Sequence, residues 1–112
     1  MTDPLLNNPE LYRLVFENDR VRVLEYLDEP GDATLPHSHP DSVMVTLSAF
    51  QRRLRMGEQV VEVELPAFQA RWLDAQDHSG TNIGRTPSHS IFIELKEPRP
   101  GPAGGRLGPS ER

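Results

Sequence analysis

No cysteine occurs among the 112 residues, which excludes a disulfide framework, a thiolate metal site and a cysteine nucleophile. No apolar run approaches the roughly 18 residues that a membrane-spanning helix needs. The opening stretch, Met1 to Glu10, lacks both the charged start and the apolar run of a signal peptide. A cytoplasmic protein with no membrane partner is expected. An excess of positive charge is missing too: the formal net charge is −5, and the basic residues are scattered apart from Arg52-Arg53 and Arg55. A nucleic-acid binder carries a basic face that displaces counterions from phosphates, so nucleic acid is not an expected partner. No stretch carries a helical period.

What remains is a chain sized for one domain and one compact core. Hydrophobic residues make up 36% and charged residues 26% of it, a globular balance with a lean apolar share. Short strand-like segments are separated by turns. Leu11 to Phe16 is apolar-rich, Asn18-Asp19 makes a turn, and Val21 to Leu27 largely alternates. Glu29-Pro30-Gly31-Asp32 is a further turn, and Val43 to Leu47 is apolar and β-branched. Arg53 to Met56 and Val60 to Leu65 flank Gly57-Glu58 as a hairpin. Ala70 to Leu73 and Ile91 to Leu95 complete the series.

Many short strands without helices predict an all-β antiparallel sandwich or small barrel. The expected organisation is an N-terminal extension over 1–9, a barrel domain over 10–97 and a flexible tail over 98–112. Four prolines and four glycines among the last fifteen residues give that tail little to bury.

The chemistry sits in Gly31-Asp32-Ala33-Thr34-Leu35-Pro36-His37-Ser38-His39 and in His78-Ser79-Gly80-Thr81-Asn82. Residues two apart on a strand project from one face, so His37 and His39 can offer two imidazoles to one point. A third imidazole at His78 would complete a metal site.

These residues resemble the two motifs of the cupin superfamily, and the nearest likeness is to small single-domain bacterial cupins. Gly31 followed by His37-Ser38-His39 is similar to the first half of the first cupin motif. His78 and Asn82 resemble the end of the second. Likeness extends to Phe16 to Glu25, to His37 to Val43 and to Ile93-Glu94-Leu95-Lys96, and covers about residues 9 to 97. The resemblance implies a double-stranded β-helix, the cupin jelly-roll barrel, with its metal site in the open mouth.

The departures are specific. The glutamate that cupins usually supply four residues after the second histidine is Val43 here, and Ser42 and Met44 cannot replace it. The next motif glycine falls at Phe50, and the glycine, proline and glycine of the second motif fall at Phe68, Asp74 and Gln76. Glycines in such turns serve positive φ angles, so altered turn geometry is expected. Loss of the glutamate leaves at best a three-histidine site, suited to a divalent ion such as Fe, Zn, Ni, Co, Mn or Cu. Without a carboxylate ligand, the ion would keep its full charge and draw anionic or enolate-forming ligands.

The resemblance implies one of two functions. One is a metal-dependent dioxygenase or related enzyme, acting on a small chelating oxygenated or dicarbonyl compound. The alternative is a binding or sensing cupin that takes a small molecule without chemistry. Homodimerisation is the implied assembly, through outer barrel faces or exchange of the segment Leu11 to Phe16.

Several residues are further candidates. His89 shares parity with Ile91, Ile93 and Leu95, so if that face points inward it is a pocket donor or a fourth ligand. Trp72 either floors the cavity or packs in the core. Asp41 either orients an imidazole or belongs to the His39-Pro40-Asp41-Ser42 turn. Asn82 stands in the pocket set through its motif. Asp74 and Asp77 are candidates to replace the missing glutamate, and Glu94, of opposite parity to Ile93, is expected on the outer face.

Overall fold

In the computed structural model, residues 2–98, 101 and 106–110 are described. After a single-turn helix α1 (Pro4–Asn7), nine strands follow in order. They are β1 (Tyr12–Glu17), β2 (Val21–Asp28), β3 (His37–His39), β4 (Ser42–Thr46), β5 (Phe50–Met56), β6 (Gln59–Leu65), β7 (Ala70–Leu73), β8 (Gln76–Asn82) and β9 (Ser88–Leu95). One sheet has the order β1-β2-β9-β4-β7 and the other β3-β8-β5-β6, with every pairing antiparallel. This is the all-β antiparallel architecture expected from the strand spacing, in the jelly-roll form that the resemblance implies.

Alternation builds the core. Leu24 and Tyr26 from β2, Met44 from β4, Phe50 from β5, Leu73 from β7 and Phe92 from β9 point inward with Tyr12 and form one buried cluster. Burial of such side chains contributes about 1.5–3 kcal/mol each. The hairpin around Gly57 is present, and Gly57 takes the positive φ of 58° that its tight turn requires.

The two sheets leave two seams, and the chain ends lie along them. The α1 cap is set by Asp3, whose Oδ1 accepts from Leu5 N at 2.8 Å. Thr2 O accepts from Ser38 N at 2.9 Å, so this end runs beside β3. Asn8 clamps Leu35 through both amide atoms, at 2.7 and 3.2 Å. At the other seam, Ser110 and Trp72 exchange two backbone hydrogen bonds of 2.7 and 2.8 Å. Leu107 is buried, and Gly108 packs against Leu54 and Val63. The segment expected to be a flexible tail therefore includes, at 106–110, a stretch held by backbone pairing with β7 and by one buried leucine. Positions 99, 100, 102–105, 111 and 112 of that expectation lie outside the described residues.

Turn geometry is kept where glycine is lost. Phe68 takes φ 62°, the left-handed conformation that the motif's glycine would adopt, with its ring exposed to solvent. The expectation of an altered turn does not hold there: Phe68 N donates to Thr46 O at 2.7 Å, and Thr46 Oγ1 accepts from Gln69 N at 2.9 Å. These bonds hold the strained residue in place. Phe50, at another expected glycine, begins β5 and fills the core.

Candidate metal centre

β3 pairs with β8 in a register that sets His37 directly opposite His78, with His39 opposite Gln76. His37 and His39 share the inward face of β3, and His78 points inward from β8, so three imidazoles converge from two neighbouring strands. All three are buried, and their ligand atoms lie within 4.8 Å of one another. Nε2 of His37 stands 3.0 Å from Nε2 of His39. Two ligands about 2.1 Å from one ion and at right angles to each other are separated by about 3.0 Å.

Every ring is oriented through its other nitrogen. Nδ1 of His37 donates to Leu35 O at 2.8 Å, Nδ1 of His39 to Glu94 Oε2 at 3.2 Å, and Nδ1 of His78 to Gln76 Oε1 at 2.8 Å. Each acceptor selects the tautomer with its Nε2 lone pair directed inward. Burial, reinforced by the neighbouring imidazoles, pushes His39 down to about 3 and His78 well below the ordinary histidine value. His37 is lowered for the same first reason. Three neutral imidazoles with inward lone pairs are the donor set that a divalent ion of the first transition row, or zinc, requires.

Around the cluster stand residues that sequence reasoning missed. The hydroxyl of Tyr12 lies 3.3 Å from Nε2 of both His37 and His39, and burial holds this phenol well above its ordinary pKa and so protonated. Glu94, expected on the outer face, is 2% exposed and inside. The Arg22 guanidinium meets its Oε1 at 2.8 Å, leaving Oε2 for His39. Burial pushes the Glu94 carboxyl up while Arg22 opposes the shift. Inversion of the expected parity of β9 has a simple cause. Ser88, Ser90, Phe92 and Glu94 face the barrel interior, and His89, Ile91, Ile93 and Leu95 face outward. The signal available in the sequence was the run of small and polar residues at every second position. Gln76 occupies a usual glycine position of the second motif.

The remaining candidates are placed elsewhere. His89 is not in the cavity: outward on β9, its Nε2 meets Glu25 Oε2 at 2.7 Å. Trp72 neither floors the cavity nor joins the buried core, because its position on β7 pairs with outward-facing Val43, and its Nε1 donates to Asp74 Oδ1 at 2.8 Å. Asp41 accepts from Ala75 N at 2.8 Å, a turn contact. Asn82 faces inward, but four residues along β8 from His78, about 13 Å at strand rise. There it donates to Asp28 Oδ1 at 2.9 Å, and its backbone pairs with Gly31 and Asp32. This joins the two motifs, with Gly31 at a φ of 91°. Asp74 also accepts from Arg106 N, and Asp77 accepts from Ser38 Oγ on the outer side of β8. Neither replaces the missing glutamate.

Behind the imidazoles lies a cavity of about 40 Å³. His37, His78, Tyr12, Arg52 and Ser90 contribute its polar surface, Phe50, Leu54 and Phe92 much of its apolar wall, and Pro109 part of its rim.

Among solved structures, a cupin domain protein from Bordetella pertussis Tohama I is 26% identical over 78% of this chain and 93% of its own, with a TM-score of 0.72. The chain is a small cupin-superfamily protein. An uncharacterised conserved double-stranded β-helix protein from Klebsiella pneumoniae shares this cupin's fold at 21% identity, covering 91% of this chain and 84% of its own, with a TM-score of 0.62. The polyketide cyclase RemF from Streptomyces resistomycificus shares it at 18% identity, covering 80% and 66%, with a TM-score of 0.59. No protein-family model matches the sequence, and no curated protein does. No helix among the described residues of this cupin is long and apolar enough to cross a membrane.

Proposed function

We propose that this cupin holds a divalent metal ion through Nε2 of His37, His39 and His78. We further propose that it acts at that centre as a metal-dependent enzyme of the dioxygenase-like class, on a small chelating oxygenated or dicarbonyl compound. The observation that carries the reading is the set of three acceptors, Leu35 O, Glu94 and Gln76, which turn all three lone pairs to one point. An ion bound there supplies Lewis acidity toward a ligand oxygen. The chain's own residues supply the rest. Glu94 and Gln76 fix the rings, and Tyr12 keeps a protonated hydroxyl beside two of them next to a largely apolar wall.

A non-catalytic binding cupin is the second reading, favoured by one observation. The buried carboxylates near the cavity, Asp28 and Glu94, are both tied to arginines, so no free carboxylate base lines it among the described residues. Metal analysis of protein purified without an affinity tag tests the shared premise. One equivalent of metal is expected in the wild type, and only trace metal in His37→Ala and His78→Ala that still fold. Equal trace metal in all three proteins would overturn it. Turnover by the loaded protein on 2-oxo acids and β-diketones then separates the enzyme from the binding module.

A further inference from the structure

On the far side of the cavity from the imidazoles, Arg52 points inward from β5 and is 7% exposed. Its Nη1 donates to Asp28 Oδ2 at 2.6 Å and to Ser88 Oγ at 3.1 Å, and the guanidinium lies 4.9 Å from the centre of the Tyr26 ring. The guanidinium also engages the Tyr26 hydroxyl, and its Nη2 and Nε meet no carboxylate or carbonyl oxygen within hydrogen-bond distance among the described residues. They extend over Gly80, where a Cβ would stand 2.9 Å from Nη2. Glycine at that position is what lets the guanidinium cross β8. Ser90, 2% exposed and on the same cavity wall, also has a hydroxyl with no partner among the described residues. Buried donors of this kind are ordinarily satisfied, and leaving one unmet costs about 1–3 kcal/mol.

Charge points the same way. Arg52 is balanced by Asp28, Arg22 is shared between Glu94 and Asp3, and the three imidazoles are neutral, so one surplus carboxylate offsets only half of the two positive charges that an ion held there would bring. Gly80 is the next inward position after His78 along β8, about 6.6 Å away at strand rise. The cavity of about 40 Å³ takes only a few non-hydrogen atoms, since one water needs roughly 10–15 Å³ of such space.

We infer that this cavity binds a short carboxylate of two or three carbons bearing a second oxygen. Its carboxylate is received by Nη2 and Nε of Arg52 and by Ser90 Oγ, and its second oxygen is directed toward the histidine cluster. The inference rests on the metal reading for that second oxygen only. A guanidinium offering two parallel N–H groups matches a carboxylate edge, which a lysine ammonium does not.

Calorimetric titration of the zinc-loaded full-length protein with pyruvate, and with the neutral analogue pyruvamide, tests it, with zinc content measured on the same samples. Pyruvate is expected to bind at least tenfold more tightly than pyruvamide. In Arg52→Lys, which keeps a cation opposite Asp28, that preference should fall at least tenfold while zinc content and the melting transition are retained. Gly80→Ala, which crowds Nη2 and Leu54 Cδ2, should weaken pyruvate more than pyruvamide. Equal affinity for the two probes, no pyruvate binding, or an Arg52→Lys protein that discriminates like the wild type would overturn the inference. If the protein takes up no zinc, the metal reading fails separately. The same comparison on metal-free protein then decides the Arg52 subsite, a persisting Arg52-dependent preference supporting it and no preference overturning it.

Discussion

Gln76 Oε1 accepts two hydrogen bonds at once, from Nδ1 of His78 at 2.8 Å and from the backbone N–H of Gly108 at 2.9 Å. Its Nε2 donates to Arg106 O at 3.0 Å. One side chain thus fixes a ring of the candidate metal centre and anchors the C-terminal segment to the barrel.

Gln76→Ala is expected to lower zinc affinity 10- to 100-fold, the usual effect of removing a partner that orients a ligating histidine. Competition against a chelating dye measures this. Gln76→Glu keeps an acceptor for Nδ1 and should recover most of the loss, whereas equal affinity in wild type and Gln76→Ala would contradict the role.

The metal-free protein should lose stability in acid. His39 is held neutral in the fold, down to about 3, and His37 and His78 are lowered too, against an unfolded value near 6.5. Below pH 6.5 the unfolded chain binds protons that the folded chain refuses, so stability is fully present above that pH and falls as pH drops toward 3. The slope approaches about 1.4 kcal/mol per pH unit for each fully linked histidine. Denaturant titrations of chelated protein at pH 7.5 and 5.0 should show it, and a His39→Asn variant should show a shallower dependence.

Phe68→Gly is expected to stabilise the barrel by about 0.5–1 kcal/mol. Relief of a left-handed non-glycine residue outweighs the entropy glycine gains in the unfolded chain. Phe68 is 79% exposed, so little packing is lost. A rise in Tm of about 2–4 °C is the readout, and a fall would mean that the ring has a partner outside the chain.

A second copy of the chain is expected to cover the outer face of the five-stranded sheet. Val23, Ile93 and Val43 lie side by side on that face, Ile91 pairs with Val45 in the next row, and β1 has no strand partner on its outer edge among the described residues, with Leu14, Val15 and Phe16 exposed. Apolar faces and open edges of this kind invite self-association. Sedimentation should give a dimer for the wild type and a monomer for Ile91→Lys. A monomeric wild type would refute the assembly.

The strands that alternate apolar and polar residues, such as β2, and the hairpin at Gly57 were legible in the sequence, because burial of one face imposes that alternation. The His37–His39 pair was legible for the same reason, since period two puts both on one face. β8 carried no such signal: its inward residues are Gln76, His78, Gly80 and Asn82, none of them an apolar core residue. The parity of β9 was misread because a cavity inverts the usual rule. Serines and a glutamate face in, and isoleucines face a half-buried outer surface. Glu94 and Tyr12 meet the histidines only through contacts between residues far apart in the chain, whereas Gln76 stands two residues from His78 on the same face of β8 and was within reach of the period-two rule.

Pro109 contributes to the cavity wall and Leu107 is buried beside it, so the last stretch of the chain stoppers the chamber it borders. A guest that enters past Pro109 would have to break the paired hydrogen bonds between Ser110 and Trp72. If that is the way in, affinity for bulky guests is scaled down by the fraction of molecules in which the stretch is open, and clipping the chain before Arg106 should raise it for large guests while sparing small ones.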